Sequence, residues 1–154
     1  MNKSSHQKNP RRQAREYAVQ ALYQWQLSPL SVGELLLNFS KDHDFSTVDG
    51  EYWRELVAHG VEQADVLDLK MRPFLSRPIE AVNPVERAIL RVAFYELCFR
   101  IDIPYRVVLN EAIELAKLFG AVDSHRFMNG VLDKAARALR TVETSLGKKD
   151  YRNK

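Results

Sequence analysis

Asn83 to Arg100 reads NPVERAILRVAFYELCFR, and the fold turns on this stretch. Asn83 can cap a helix, Pro84 suits the first helical position because its N–H is not needed there, and Glu86 stands where a capping box places a carboxylate. At 100° per residue, Val85, Ile89, Leu90, Val92, Ala93, Phe94, Leu97, Cys98 and Phe99 fall on almost every side of this helix. No face is left to water, so the stretch is expected to be the axis of an all-α core. Its polar residues are ordered as well. Arg87, Arg91 and Tyr95 form one i, i+4 stripe, and Glu96 and Arg100 form a favourable i, i+4 pair.

Outward from this axis, the chain reads as helices joined by short loops. Pro10 to Leu27 starts at a proline and buries Ala14, Ala18, Ala21, Leu22 and Trp25 at helical spacing. Ser31 to Phe39 repeats the pattern with Val32, Leu35, Leu36 and Phe39. Lys41 to Gly50 is a polar loop. Tyr52 to Met71 is helical, with a division expected at Gly60 and an end at Pro73. After the axis, Ile101 to Pro104 is a linker. Tyr105 to Phe119 then sets Val108, Ala112, Leu115 and Ala116 against Asn110, Glu111, Glu114 and Lys117, and Gly120 stops it. Asp123 or Ser124 can cap the last helix, which buries Met128, Val131, Leu132, Ala135 and Leu139. Without β alternation, the economical fold is all-α, a compact bundle of about six or seven helices in one domain over residues 10–140. Residues 1–9 are expected to be a mobile arm and residues 141–154, which lack an apolar stripe, a disordered tail.

Composition narrows the function classes. The chain has 154 residues, 45% hydrophobic and 28% charged, enough for one real core, and its net charge is only +3. Basic character must therefore be local. Cys98 is the single cysteine, so an internal disulfide and a cysteine-based zinc site are both excluded. No stretch reaches the roughly 18 apolar residues of a membrane span, and a cytoplasmic protein is expected. The four histidines, His6, His43, His59 and His125, lack i, i+4 metal spacing. Asp42, His43 and Asp44 read more simply as a polar loop than as ligands. Phosphate-cradling glycine motifs are absent, and Ser124 and His125 diverge by about 100° on a helix. No cofactor and no catalytic residue is implied.

What remains is surface. With Arg12 at about 0°, Arg15 falls near 300°, Val19 near 340° and Tyr23 near 20°, away from the apolar face centred near 220°. Arg11 can join from the edge. Guanidinium groups beside an aromatic ring suit single-stranded nucleic acid, by neutralising phosphates and stacking an unpaired base. On the last helix Arg126, Phe127, Gly130 and Lys134 form a second cation and aromatic edge beside the inward stripe. Gly130 either admits a ligand backbone or permits a tight helix crossing.

The wording of three segments adds to this. RRQAREYAVQALYQWQ at 11–26, PVERAILRVAFYEL at 84–97 and PYRVVLNEAIELAKLFGAVDSHRFMNGVLDKAA at 104–136 resemble, in order, the NusB family of transcription antitermination factors. The resemblance spans nearly the whole chain. It implies two packed helical subdomains that bind boxA-type single-stranded RNA and pair with NusE, also a small-subunit ribosomal protein, in a complex that modifies RNA polymerase during ribosomal RNA transcription. Carried over by position, it assigns RNA contacts to Arg11, Arg12, Arg15, Tyr23, Asp123, Arg126 and Phe127, and a place at the NusE interface to Glu86. Lys134 joins the RNA set from its edge position alone. Gln13 stands where more arginine is common in the family. Two other readings compete: the NusB-like domain of a ribosomal RNA methyltransferase, were the chain a fragment, and a helical adaptor that binds protein but no RNA.

Overall fold

The computed structural model describes residues 9–145. The expected arm, up to residue 8, and the tail from residue 146 onward lie outside the described residues. Seven α-helices follow in order: α1 Pro10–Leu27, α2 Val32–Asp42, α3 Gly50–Glu62, α4 Ala64–Met71, α5 Pro84–Phe99, α6 Tyr105–Phe119 and α7 Ser124–Leu139, with short 3-10 turns at Arg72–Phe74 and Ile79–Ala81 between α4 and α5. No strand occurs among the described residues. None of their helices is long and apolar enough to cross a membrane.

The helix starts are set locally. Asn83 Oδ1 accepts from the N–H of Val85 at 2.8 Å and of Glu86 at 3.4 Å, and Asn9 does the same for Arg11 and Arg12 at 2.9 and 3.1 Å. Each thus satisfies two of the orphan donors of a first helical turn. A full capping box forms at the start of α2, between Ser31 and Glu34. Glu86, expected in that role on α5, turns elsewhere.

The axis is as expected except at its end, where Phe99 is exposed to water. Ile89, Leu90 and Phe94 on α5 are fully buried, and α5 packs against α1, α3, α4, α6 and α7. On one side α1, α2 and α3 pack together, on the other α4, α6 and α7 surround the rest of α5, and one continuous apolar core joins the two groups. Gly60 does not divide α3. A Cβ there would lie 3.0 Å from a Leu22 methyl, so the glycine admits α1 rather than breaking the helix. The division falls at Gln63, which leaves helical geometry with φ −109° and ψ 23°.

Residues 141–145, expected to lack structure, are helical. The cause is a polar anchor. Buried Arg140 donates to the carbonyls of Leu97 at 2.8 Å, Ile103 at 3.0 Å, Glu96 at 3.1 Å and Arg100 at 3.2 Å, capping the end of α5. Glu143 then receives Arg140 at 2.7 Å and the Tyr105 N–H at 2.8 Å. An apolar stripe is not what holds this segment.

Candidate nucleic-acid interface

The basic start of α1 is largely bound within the protein. Arg15, expected to face water, is buried and donates from Nε to Glu96 Oε2 at 2.8 Å, with Glu111 3.6 Å away. This corrects its place on an open RNA surface. The polar side of the first two turns of α1 thus meets carboxylates of α5 (Glu96) and α6 (Glu111) instead of solvent. Burial pushes the Glu96 carboxyl above its usual range despite Arg15 and Tyr52. Tyr52 donates its phenol to the same carboxylate, and burial followed by the Glu96 charge raises its pKa. Arg12 is about half exposed, but its fork is occupied by Glu111, at 3.0 Å from Nε and 2.7 Å from Nη2. That bond, then the Glu111 charge, raises the Arg12 pKa. Arg11 lies 4.2 Å over the Tyr52 ring.

Farther along α1, Tyr23 is exposed as expected. It borders an open groove of about 340 Å³, whose walls are Val19, Gln20, Gln24, Val85 and Phe119. Val19, placed outward by the angular reading, is buried beneath it.

The second half of the site is the first turn of α7. Asp123 occupies the cap position with φ 75° in the left-handed region, but its side chain makes no cap bond. Ser124 turns inward and donates to Glu86 Oε2 at 2.6 Å. A Cβ on Gly120 would come within 2.6 Å of Ser124 Oγ and 2.7 Å of the Ala116 carbonyl, so this turn requires glycine. Arg126 is 78% exposed, with Asp123 at 3.8 Å. Phe127 is half-buried and Lys134 exposed. Gly130 has no atom within 4 Å of a Cβ built there, which removes tight helix crossing as its explanation.

Glu86, which the resemblance places at a partner interface, is only 8% exposed. Its carboxylate is used by Ser124 and, at 3.6 Å, approached by Arg77. The first turn of α5 nonetheless brings two candidate regions together, because Val85 lines the Tyr23 groove while its neighbour Glu86 holds Ser124. Arg11 and Arg15 stay apart from this cluster, since 12 residues of helix separate Arg11 from Tyr23 by about 18 Å. Sequence reasoning missed Arg77, Ser124 as a tie to α5, and Glu96 and Glu111 as partners of α1. A carboxylate with alternative arginine partners on another helix leaves no local signal. Arg77 sits in a segment with no periodicity to orient it.

Comparison with known proteins places this arrangement. The NusB family's sequence model matches residues 12–137. The transcription antitermination protein NusB of Psychromonas ingrahamii is 52% identical over 138 residues, covering 90% of this chain and 95% of that protein. Among solved structures, T. maritima NusB superposes with a TM-score of 0.72 at 32% identity, over 84% of this chain and 92% of that one. A structure of the antitermination factors NusB and NusE in complex with dsRNA gives a TM-score of 0.72 at 29% identity, over 82% and 96% of the two chains. With matches along nearly the full length of both sequence and fold, the chain belongs to the NusB family.

Proposed function

We propose that this protein is a transcription antitermination factor that binds boxA-type single-stranded RNA together with a NusE-type ribosomal protein, and that the complex acts on RNA polymerase in the cytoplasm during ribosomal RNA transcription. Its role is binding, without catalysis. The observation that carries this reading is the exposed ring of Tyr23 over a groove lined by Val85, whose neighbour Glu86 is bonded to Ser124 at the start of α7, the helix that carries Arg126 and Phe127. Aromatic faces beside cations suit unpaired bases, which a duplex would keep stacked. The similarity to a NusB found with NusE and dsRNA supports a NusE-type partner and RNA as the ligand class, while the choice of a single strand rests on the exposed aromatic ring.

Titration of labelled boxA-like RNA, with and without NusE, tests the proposal, with an unrelated strand and a duplex of the same sequence as controls. The single strand should bind best, and more weakly as salt rises. Tyr23→Ala should lose about 1–3 kcal/mol of stacking while its circular dichroism stays that of the parent. Equal affinity for all three RNAs would overturn boxA specificity, and unchanged affinity in Tyr23→Ala would remove that ring from the site.

A further inference from the structure

Phosphate recognition needs guanidinium donors that are not already spent, because a fork filled by a carboxylate must be vacated before it can grip an anion. By that criterion many of the arginines here are already spent. Arg12, Arg15, Arg91, Arg100 and Arg140 each donate hydrogen bonds of 2.7–2.9 Å within the protein. Arg77, on the segment between α4 and α5, makes no such bond among the described residues. Its nearest carboxylate oxygen, on Glu86, is 3.6 Å away, beyond hydrogen-bond range, and its side chain is 43% exposed. Glu86 is satisfied instead by Ser124 at 2.6 Å. The Arg77 guanidinium carbon lies 4.5 Å from the centre of the Phe127 ring. This contact fixes a planar cation in place without consuming its N–H groups.

Resting on the RNA-binding reading above, we infer that Arg77 is a further RNA-contacting residue, which grips a backbone phosphate while its guanidinium and the Phe127 ring form one stacked platform. Two other cations extend the surface. Arg126 is held only at 3.8 Å by Asp123, and Lys134 is exposed on the same helix. The acidic side chains near them leave these charges available: Asp133 is engaged by Arg137 at 3.0 Å, while Glu86 is bonded to Ser124. Electrostatic attraction to RNA is thereby shifted from the start of α1, where Glu96 and Glu111 occupy Arg15 and Arg12, toward α7 and the segment packed on it. Phe127 sets the orientation of the cation, and the long approach of Glu86 biases it without closing its fork.

The test is a salt series of binding isotherms for a boxA-like single strand, using the full chain with Arg77→Ala, Arg77→Gln and Arg77→Lys. Wild-type binding is measured first, and its absence would overturn the proposed function, leaving Arg77 with no RNA to contact. Given wild-type binding, Arg77→Ala should weaken it several-fold and reduce the slope of log affinity against log salt by about 0.7, the share of one phosphate on a single strand. Arg77→Gln keeps a planar head on the ring but no charge, and should lose the same slope. It also serves if the alanine variant fails to fold. Arg77→Lys should retain the slope. A purely structural role for Arg77 would lower thermal stability and leave the slope unchanged, overturning the inference. Tighter binding by Arg77→Ala would overturn it too, by making Arg77 a cover over Phe127 rather than a contact.

Discussion

Glu96 shows how one residue carries two opposed effects. Its carboxylate is almost completely buried and takes hydrogen bonds from Arg15 and Tyr52, yet burial is the larger influence and raises its pKa. The folded protein therefore holds this proton at pH values where the unfolded chain, near about 4.3, has released it. Across that window the unfolded state binds fewer protons, so this group's contribution to stability falls as pH rises and is most favourable on the acid side. Glu96→Gln should remove the dependence, at a cost of about 3 kcal/mol for the weakened buried pair, since Arg15 still has Glu111 at 3.6 Å. Urea unfolding of both proteins from acid to neutral pH measures it. Subtracting the variant's curve from the parent's should leave a downward slope beginning near the ordinary glutamate range. An upward slope would mean that the Arg15 charge outweighs desolvation. Arg15 itself marks a limit of periodicity, which separates polar from apolar sides of a helix but cannot distinguish water from a carboxylate on the next helix.

At the scale of elements, the turn from α6 into α7 is the most tightly specified junction near the site. Gly120, the left-handed Asp123 and the Ser124 to Glu86 bond together fix the direction in which α7 leaves. Gly120→Ala would drive a methyl group to 2.6 Å from Ser124 Oγ and 2.7 Å from a backbone carbonyl that cannot move aside. It should destabilise the fold by about 1–3 kcal/mol, an overpacking cost, and weaken RNA binding by displacing Arg126 and Phe127. Chemical unfolding and RNA titration of that variant check both effects, and a parent-like result in each would show the turn to be compliant. Gly120 was legible as a helix stop because stop signals are local, and so were Pro10 and Pro84 as helix starts. The capping box forms at Ser31 and Glu34 and not at Glu86, where the sequence reading places it. Tyr23, Arg126 and Lys134 were found on the surface where their helical angles put them. Arg77, the burial of Glu86 and the Arg140 anchor were not legible, since each depends on which distant elements meet.

For the whole molecule, α5 is the element that touches both proposed binding regions, and coupling between them would run through it. Its first turn touches the Tyr23 groove through Val85 and the start of α7 through Glu86, while the rest of it is built into the common core. If the proposed NusE-type partner uses Glu86, it must share or replace the Ser124 hydrogen bond, because the carboxylate is only 8% exposed. Partner binding would then act on the same turn that carries Arg126 and Phe127. Coupling of this kind commonly amounts to about 1–3 kcal/mol, or roughly 5–150-fold in affinity, and is reciprocal. The partner should therefore tighten RNA binding by the same factor by which RNA tightens partner binding. Glu86→Gln leaves an acceptor for Ser124 while removing the charge offered to the partner, so RNA binding without the partner should stay close to that of the parent and the coupling factor should shrink. Glu86→Lys, which also abolishes the acceptor and places a cation near Arg77, should harm both binding events. Calorimetry on each pair and on the ternary complex measures all four affinities. A partner that binds Glu86→Lys at full strength would remove Glu86 from the interface, and RNA affinity indifferent to the partner would show that the α5 turn transmits nothing between the two sites.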